Sequence, residues 1–310
     1  MNHNPNPNSR QVADQNSIAS RTCAVIVTYN PDAALSERVR LLACQLAAVI
    51  VIDNASELEH SARLQSLSRI ANVTVLQNDT NWGLAAALNQ GARWAKEQGF
   101  EWTLLLDQDS TPLDSMVAEL AQISHGLGQE ARAALLGSNF VDVNSGRAWL
   151  NPADHPNRSW VDAKSMTTSG TLIPLSAFDV LGPFRSDLFV DLVDMEFGLR
   201  ARSQGYRLII SVRPLMLHTV GAKRKRRFFW RTVWPSHHSA QRRYYMARNL
   251  TLLVREYGPN DPKWALHNVL ALAKSLLLVV LFEDSRLSKL TFTGRGIIAG
   301  LRRIMAGGQV

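Results

Sequence analysis

Four short apolar runs, rich in β-branched residues, constrain this chain more than any other feature. They are Ala24-Val-Ile-Val27, Val49-Ile-Val-Ile52, Val73-Thr-Val-Leu76 and Thr103-Leu-Leu-Leu106. They read as near-continuous apolar segments rather than the apolar-polar alternation of a strand with one wet face. Helix-period stretches separate them. Leu35, Val39, Leu42 and Leu46 share one face, residues 57–70 read as helix, and residues 83–98 are amphipathic. Strands buried on both faces and alternating with helices imply an α/β fold built on a mostly parallel sheet.

In such sheets ligands bind beyond the carboxyl ends of the strands. Polar clusters fall there: Thr28-Tyr29-Asn30, Asp53-Asn54, Asn78 and Asp107-Gln108-Asp109. Strands end in polar turn residues in any case, which is enough to account for Asn54 or Asn78 alone. It accounts poorly for two acids at positions 107 and 109. Two carboxylates at i and i+2 approach one point if the chain turns between them. Hard cations such as Mg²⁺ or Mn²⁺ take oxygen ligands of this kind together with substrate phosphates. No Gly-x-Gly-x-x-Gly follows the first strand, and there is no Walker A loop. A Gly-x-Ser-x-Gly nucleophile elbow is also missing.

The set of strand ends resembles family 2 glycosyltransferases of the GT-A fold. Val27-Thr28-Tyr29-Asn30, Ile52-Asp53-Asn54, Asn81-Trp82-Gly83 with Asn89 and Gly91, and Asp107-Gln108-Asp109 occur in that family's order. Ser169-Gly170, Val193-Asp194-Met195-Glu196 with Arg200, and a weaker Arg248-Asn249 continue it. The Asp-Gln-Asp-Ser form and Phe189-Val-Asp-Leu-Val-Asp-Met-Glu196 look most like the bacterial rhamnosyltransferase branch. The resemblance implies a GT-A nucleotide-diphospho-sugar transferase fold, Rossmann-like, and a sugar transfer that inverts the anomeric centre. It implies that Thr28, Tyr29, Asn30 and Asp53 serve the nucleotide base, and that Asn81 and Gly83 lie near ribose and phosphates. Asp107 would face the donor, Asp109 would hold Mg²⁺ or Mn²⁺ with Asp107 and His218, and Arg248 would meet donor phosphates. Ser169 and Gly170 would lie on the acceptor side. Asp194 matches the catalytic base. Many members carry Glu-Asp there, whereas Val193 precedes Asp194 here, so Asp191 is the second candidate.

The rest of the chain bears on partners. Net charge is +8 and pI about 9.9, which points to an anionic partner. From Phe197 to Arg255 there are 14 Lys or Arg residues and no acid. Lys223-Arg-Lys-Arg-Arg227 adjoins Phe228-Phe229-Trp230, and Trp264–Phe282 follows with 15 apolar residues of 19. Basic residues beside aromatics suit an anionic membrane surface better than nucleic acid. Lys274 inside the apolar stretch favours an interfacial or buried helix over a spanning one. The layout is therefore a disordered tail at 1–21 without a signal sequence, a catalytic domain at 22–220, and a basic, mainly helical, membrane-associated region at 221–310. Cys23 and Cys44 sit in apolar runs and are expected to be buried, reduced thiols, as in a cytoplasmic protein.

The expected substrates are a nucleotide-diphospho-sugar donor, dTDP-rhamnose by resemblance, and a glycan or lipid-linked acceptor of O-antigen type. The expected location is the cytoplasmic face of the inner membrane. Two other readings stay open: a sugar-phosphate nucleotidyltransferase, and a non-enzymatic basic protein that binds membrane or nucleic acid. The first is disfavoured because Asn30-Pro31-Asp32-Ala33 contains no glycine. The second leaves the acids at the strand ends unexplained.

Overall fold

The computed structural model describes residues 18–219, 226–228, 231–233 and 235–305. Most of the N-terminal tail and of the basic run at 223–227 therefore lies outside the described residues. The chain divides into two compact units, Met1–Ser186 with Phe197–Thr219, and Asp187–Glu196 with Val220–Val310.

The first unit is built on one nine-stranded sheet. Its opening strands are β1 (Thr22–Thr28), β2 (Ala48–Asp53), β3 (Val73–Gln77) and β4 (Trp102–Asp107), which correspond to the four apolar runs. They pair in parallel in the order β3-β2-β1-β4. Helices α1 (Leu35–Ala43), α2 (Ser61–Leu67) and α3 (Leu84–Glu97) connect them. Leu35, Val39 and Leu42 turn inward as their spacing predicts. Gly91 lies in α3 against β1, where an added Cβ would collide with Val25. Register brings Thr28 level with Asp53 and Val27 level with Asp107, so the strands end together.

After β4 the pairing changes. The remaining strands are β5 (Thr111–Pro112), β6 (Ala134–Asp142), β7 (Trp160–Asp162), β8 (Thr171–Pro174) and β9 (Arg207–His218). The order continues β4-β8-β6-β9-β5, with β7 also on β9. β8 runs antiparallel to β4 and β6, β9 is parallel to β6, and β5 and β7 are antiparallel to β9. The sheet is thus mixed, not mostly parallel. Parallel neighbours need a crossover of helical length, and only a short 3₁₀ turn at Pro152–Asp154 separates β6 from β7 and β8. Helices α4 (Met116–Leu127) and α5 (Ala177–Leu181) complete this half. Helix α6 (Val193–Ser203) follows, and its first turn counts with the second unit.

The second unit consists of α7 (Ala240–Tyr257), α8 (Pro262–Phe282) and α9 (Arg286–Met305), with a short hairpin of β10 (Arg226–Phe228) and β11 (Arg231–Val233). Asp261 caps α8 by accepting from the Trp264 N–H, and Pro262 occupies the first turn, where its missing N–H costs nothing. Gly296 lets α9 lie directly on α7, since a Cβ there would strike the Tyr244 carbonyl.

A buried ion cluster ties the three helices together. The Glu283 carboxylate, fully buried, takes Arg243 at 3.1 Å and Lys289 at 2.8 Å and accepts the His237 N–H at 3.0 Å. Arg243 also donates to Ser275 on α8 at 2.6 Å and to Ser236 at 3.0 Å. Burial alone would raise the Glu283 carboxyl, but Lys289, the His237 N–H and Arg243 outweigh it and hold it below its ordinary range. Beside them, burial, reinforced by Arg242, pushes the His238 imidazole down to about 4.

Helix α8 turns apolar residues outward. Leu266, Val269, Leu270, Leu277, Val280 and Leu281 are exposed, while Ala265 and Val279 face inward. Among the described residues it is the one helix long and apolar enough to cross a membrane. Of the two cysteines, Cys23 is buried and its thiol is pushed up to about 12 by that burial, so it is inert. Cys44 is exposed, against expectation. It lies just past the C-terminus of α1, where the inward spacing of Leu35, Val39 and Leu42 no longer covers it.

Candidate active site

Two strands of the first unit deliver one cluster. Asp107 ends β4, Asp109 follows in the turn, and His218 ends β9. Their ligand atoms all lie within 4.8 Å of one another. His218 Nδ1 is 3.6 Å from Asp109, whose side chain is 44% exposed, whereas that of His218 is 12% exposed. One open carboxylate and one recessed imidazole suit a cation that is also reached from solvent. Burial lowers the His218 imidazole, while Asp109 and Asp142 pull it back up. A neutral imidazole is the form that binds metal.

Beneath this cluster runs a chain of hydroxyls. Ser110 Oγ lies 2.8 Å from His218 Nδ1 and 2.6 Å from Ser169 Oγ, and Ser169 Oγ accepts the Asp107 N–H at 3.0 Å. Both serines are buried. Ser169 and Gly170, expected on the acceptor side, are both buried under the acid turn. Ser169 braces the Asp107–Asp109 turn. Gly170 sits at φ +79, against Met216 and Ser138, and donates to the Leu105 carbonyl at 2.7 Å. Its left-handed backbone and the lack of room for a Cβ both require glycine. The role of Ser110 went unread in the sequence. Its position beside the acid triplet was visible, but its partner lies 108 residues away.

The nucleotide-side residues gather at the ends of β1 and β2. Asp53 is 2% exposed. Its carboxylate accepts from Thr28 Oγ1 at 2.9 Å and from the Ser56 hydroxyl and N–H. Asp53 and Thr28 thus shape the loop from below, and the side chains at its surface are Tyr29, 48% exposed, and the half-buried Asn30. Gln108 clamps Tyr29 by taking its N–H at 2.8 Å and donating to its carbonyl at 3.1 Å, which joins the acid triplet to the β1 loop. Asn54 joins the next loop. It donates to Asn81 Oδ1 at 2.9 Å and to the Gly83 carbonyl at 3.1 Å, and it accepts the Trp82 N–H. Gly83, at φ 85, then starts α3.

The carboxylates proposed for base catalysis belong to the second unit. Phe189, Asp191 and Leu192 all have left-handed backbones, at φ 64, 61 and 61. Each costs about 1–2 kcal/mol for a non-glycine residue, so something must hold them. Asn249, fully buried, donates to the carbonyls of Leu188, Val190 and Asp191 at 2.8–2.9 Å. Arg248 donates to the Asp187 and Leu188 carbonyls and to Asn249 Oδ1. The Asp191 carboxylate is held by the Arg242 guanidinium at 2.8–3.1 Å. Asp194 lies in the first turn of α6 and accepts the Met195 N–H at 2.8 Å. Glu196 is buried and receives the Tyr257 hydroxyl at 2.9 Å.

Comparison with known proteins gives this arrangement its class. The family model for glycosyl transferase family 2 matches residues 23–131. The chain is also 28% identical over 306 residues to the dTDP-rhamnosyl transferase RfbF of Shigella flexneri, covering 94% of this chain and 98% of that one. The chain is a glycosyltransferase with a family 2 domain. Solved structures agree on the GT-A fold of this glycosyltransferase. S. aureus TarS 1-349 superposes with a TM-score of 0.53 at 17% identity, over 92% of this chain and 82% of that one. GalNAc-T7 superposes with a TM-score of 0.56 at 15% identity, over 92% of this chain and 56% of that one.

Proposed function

We propose that this glycosyltransferase moves L-rhamnose from dTDP-rhamnose, with inversion, onto a glycan or lipid-linked acceptor of O-antigen-type polysaccharide. The observation that carries the transfer is the Asp107, Asp109 and His218 cluster at the strand ends. The 28% identity to a dTDP-rhamnosyl transferase over nearly the whole chain supports the donor.

The cluster's donor set fits Mg²⁺ or Mn²⁺, with two carboxylates of the hard type and one imidazole. GalNAc-T7, a protein of similar fold, was crystallised with UDP, GalNAc and Mn²⁺. When bound, the cation neutralises the diphosphate as it leaves. Every other task falls to the chain. Tyr29, set by Gln108, and Asn30 line the base side. Asp53 and Thr28 hold that loop from beneath, and Asn81 with Gly83 shapes the ribose and phosphate side. Asp194 takes the proton of the acceptor hydroxyl as its oxygen bonds to the anomeric carbon and the bond to diphosphate breaks. Asp191 is the weaker candidate, because its carboxylate is committed to Arg242. Arg248 acts through the backbone of residues 187–188, as a positioning residue.

The second unit suits the cytoplasmic leaflet of the inner membrane. α8 presents its apolar face outward, and α9 carries Arg286, Arg295 and Arg302 with no acid along its length. The deciding experiment is thermal stabilisation by dTDP-rhamnose, UDP-sugars and GDP-sugars, with and without Mn²⁺ or Mg²⁺. A cation-dependent rise that is largest for dTDP-rhamnose and absent in Asp109→Ala supports the reading. A larger rise with another nucleotide discards rhamnose, and no rise in folded protein discards the transferase mechanism.

A further inference from the structure

Trp149 is a large aromatic residue with no use in the donor chemistry, yet the structure holds it rigidly and leaves it 43% exposed. Its ring stacks on Phe140 at 5.5 Å with an interplanar angle of 13°. Phe140 in turn meets the His218 ring edge-on at 5.3 Å. Trp149 is thus two ring contacts from the proposed cation ligands and on the same face of the sheet. Its backbone is fixed from inside the protein. The Trp149 N–H donates to the Phe140 carbonyl at 2.9 Å, and its neighbour Leu150 exchanges two hydrogen bonds with the fully buried Asn139. Asn139 also donates to the Val212 carbonyl at 2.8 Å, which anchors the hairpin to β9.

Sheet order says which substrate this ring faces. The nucleotide-side residues end β1 and β2, and β4 with its acids comes next. β8, β6 and β9 lie beyond it. Phe140 and Trp149 belong to β6 and the hairpin that follows, on the far side of Asp107 and Asp109 from Tyr29. A preorganised aromatic face there serves the molecule that approaches opposite the nucleotide. Packing a tryptophan well into a core would hide it. Pinning its backbone while exposing its ring is instead what recognition surfaces do, because a rigid aromatic gives large contact area at low entropic cost. Pyranose rings present a face of C–H bonds that packs on such a surface, with hydroxyls left at the rim for hydrogen bonds. Asp142, whose carboxylate accepts from Ser145 Oγ at 2.7 Å, pairs with His218 across β6 and β9 and supplies a polar group there.

We infer that Trp149, backed by Phe140, is the stacking platform for a pyranose unit of the glycan acceptor. This rests on the transferase reading above. The test measures binding of the full chain, with Mn²⁺ and dTDP, to an array of defined pyranose-containing oligosaccharides, followed by titration of the best binder. Trp149→Ala is expected to weaken that glycan about tenfold, and Trp149→Phe to retain most of the affinity. Stabilisation by the nucleotide sugar should be unchanged in both variants. Equal glycan affinity in Trp149→Ala overturns the inference, as does loss of nucleotide stabilisation to the same extent, which would move the ring to the donor side. A wild-type chain that is stabilised by nucleotide sugar but captures no glycan overturns it too. A chain stabilised by no nucleotide sugar fails the transferase reading itself and takes this inference with it.

Discussion

Removing one buried hydroxyl tests how the cation cluster is held. Ser110 is 2% exposed, and its Oγ sits between His218 Nδ1 and Ser169 Oγ. With Nδ1 engaged there, the imidazole is oriented beside the Asp107–Asp109 turn. Ser110→Ala deletes that partner and lets the imidazole turn. The Asp107–Asp109 turn loses its tie to the β9 end at the same time. Losing such an outer partner costs about 10–100-fold in metal affinity, which is about 1.4–2.7 kcal/mol. The assay is titration of the folded protein with Mn²⁺, reading the free ion by its paramagnetic resonance signal, with Asp109→Ala as the control that removes a proposed ligand. The expected result is a Kd for Mn²⁺ raised by at least about tenfold in Ser110→Ala. A Kd unchanged within about twofold, in a variant that keeps its circular dichroism spectrum, would refute the idea that Ser110 sets the imidazole.

Three further outcomes are expected. Glu283→Gln strips the carboxylate that pairs with Arg243, which is 1% exposed, and with Lys289. It should cost about 3–5 kcal/mol in denaturant titration, and a loss below about 1 kcal/mol would show that the cluster relaxes into water. His238 has a folded-state pKa of about 4 against an ordinary 6.5. The unfolded chain therefore takes up that proton first, and stability should fall as pH drops from 6.5 toward 4. His238→Gln should flatten this slope; an unaltered slope assigns it to another group. Gly91→Ala forces a methyl group into Val25 and should cost about 1–3 kcal/mol by overpacking, read as a lowered Tm. An unchanged Tm would mean that α3 lifts off β1 freely.

The first half of the fold was legible because its signals are local. A strand buried on both faces writes its apolar run into consecutive residues, and α1 writes its inward face into a spacing of three and four. The acid triplet was legible for the same reason. The burial of Ser169 was not legible because its environment is made by β8 running antiparallel beside β4. That pairing depends on which distant strand arrives there, and four local residues do not encode it. Asp53 was placed at the correct strand end, but its burial follows from Thr28 and Ser56 closing over it. The loop at 187–192 was not legible at all. Its left-handed backbone is imposed by Asn249, about sixty positions away. Long-range hydrogen bonds of this kind leave no periodic trace in sequence.

That dependence sets an order of events during synthesis. Residues 187–196 emerge from the ribosome well before α7, yet they belong to the compact unit that α7 completes. Until Asn249 is made, the carbonyls of Leu188, Val190 and Asp191 lack the donor that holds them, and Asp191 lacks Arg242. The sheet and its acid triplet can assemble first, but the segment bearing the proposed base takes its working shape only once α7 arrives. On the proposed reading, a nascent chain gains its proposed cation ligands before its proposed base is set in place.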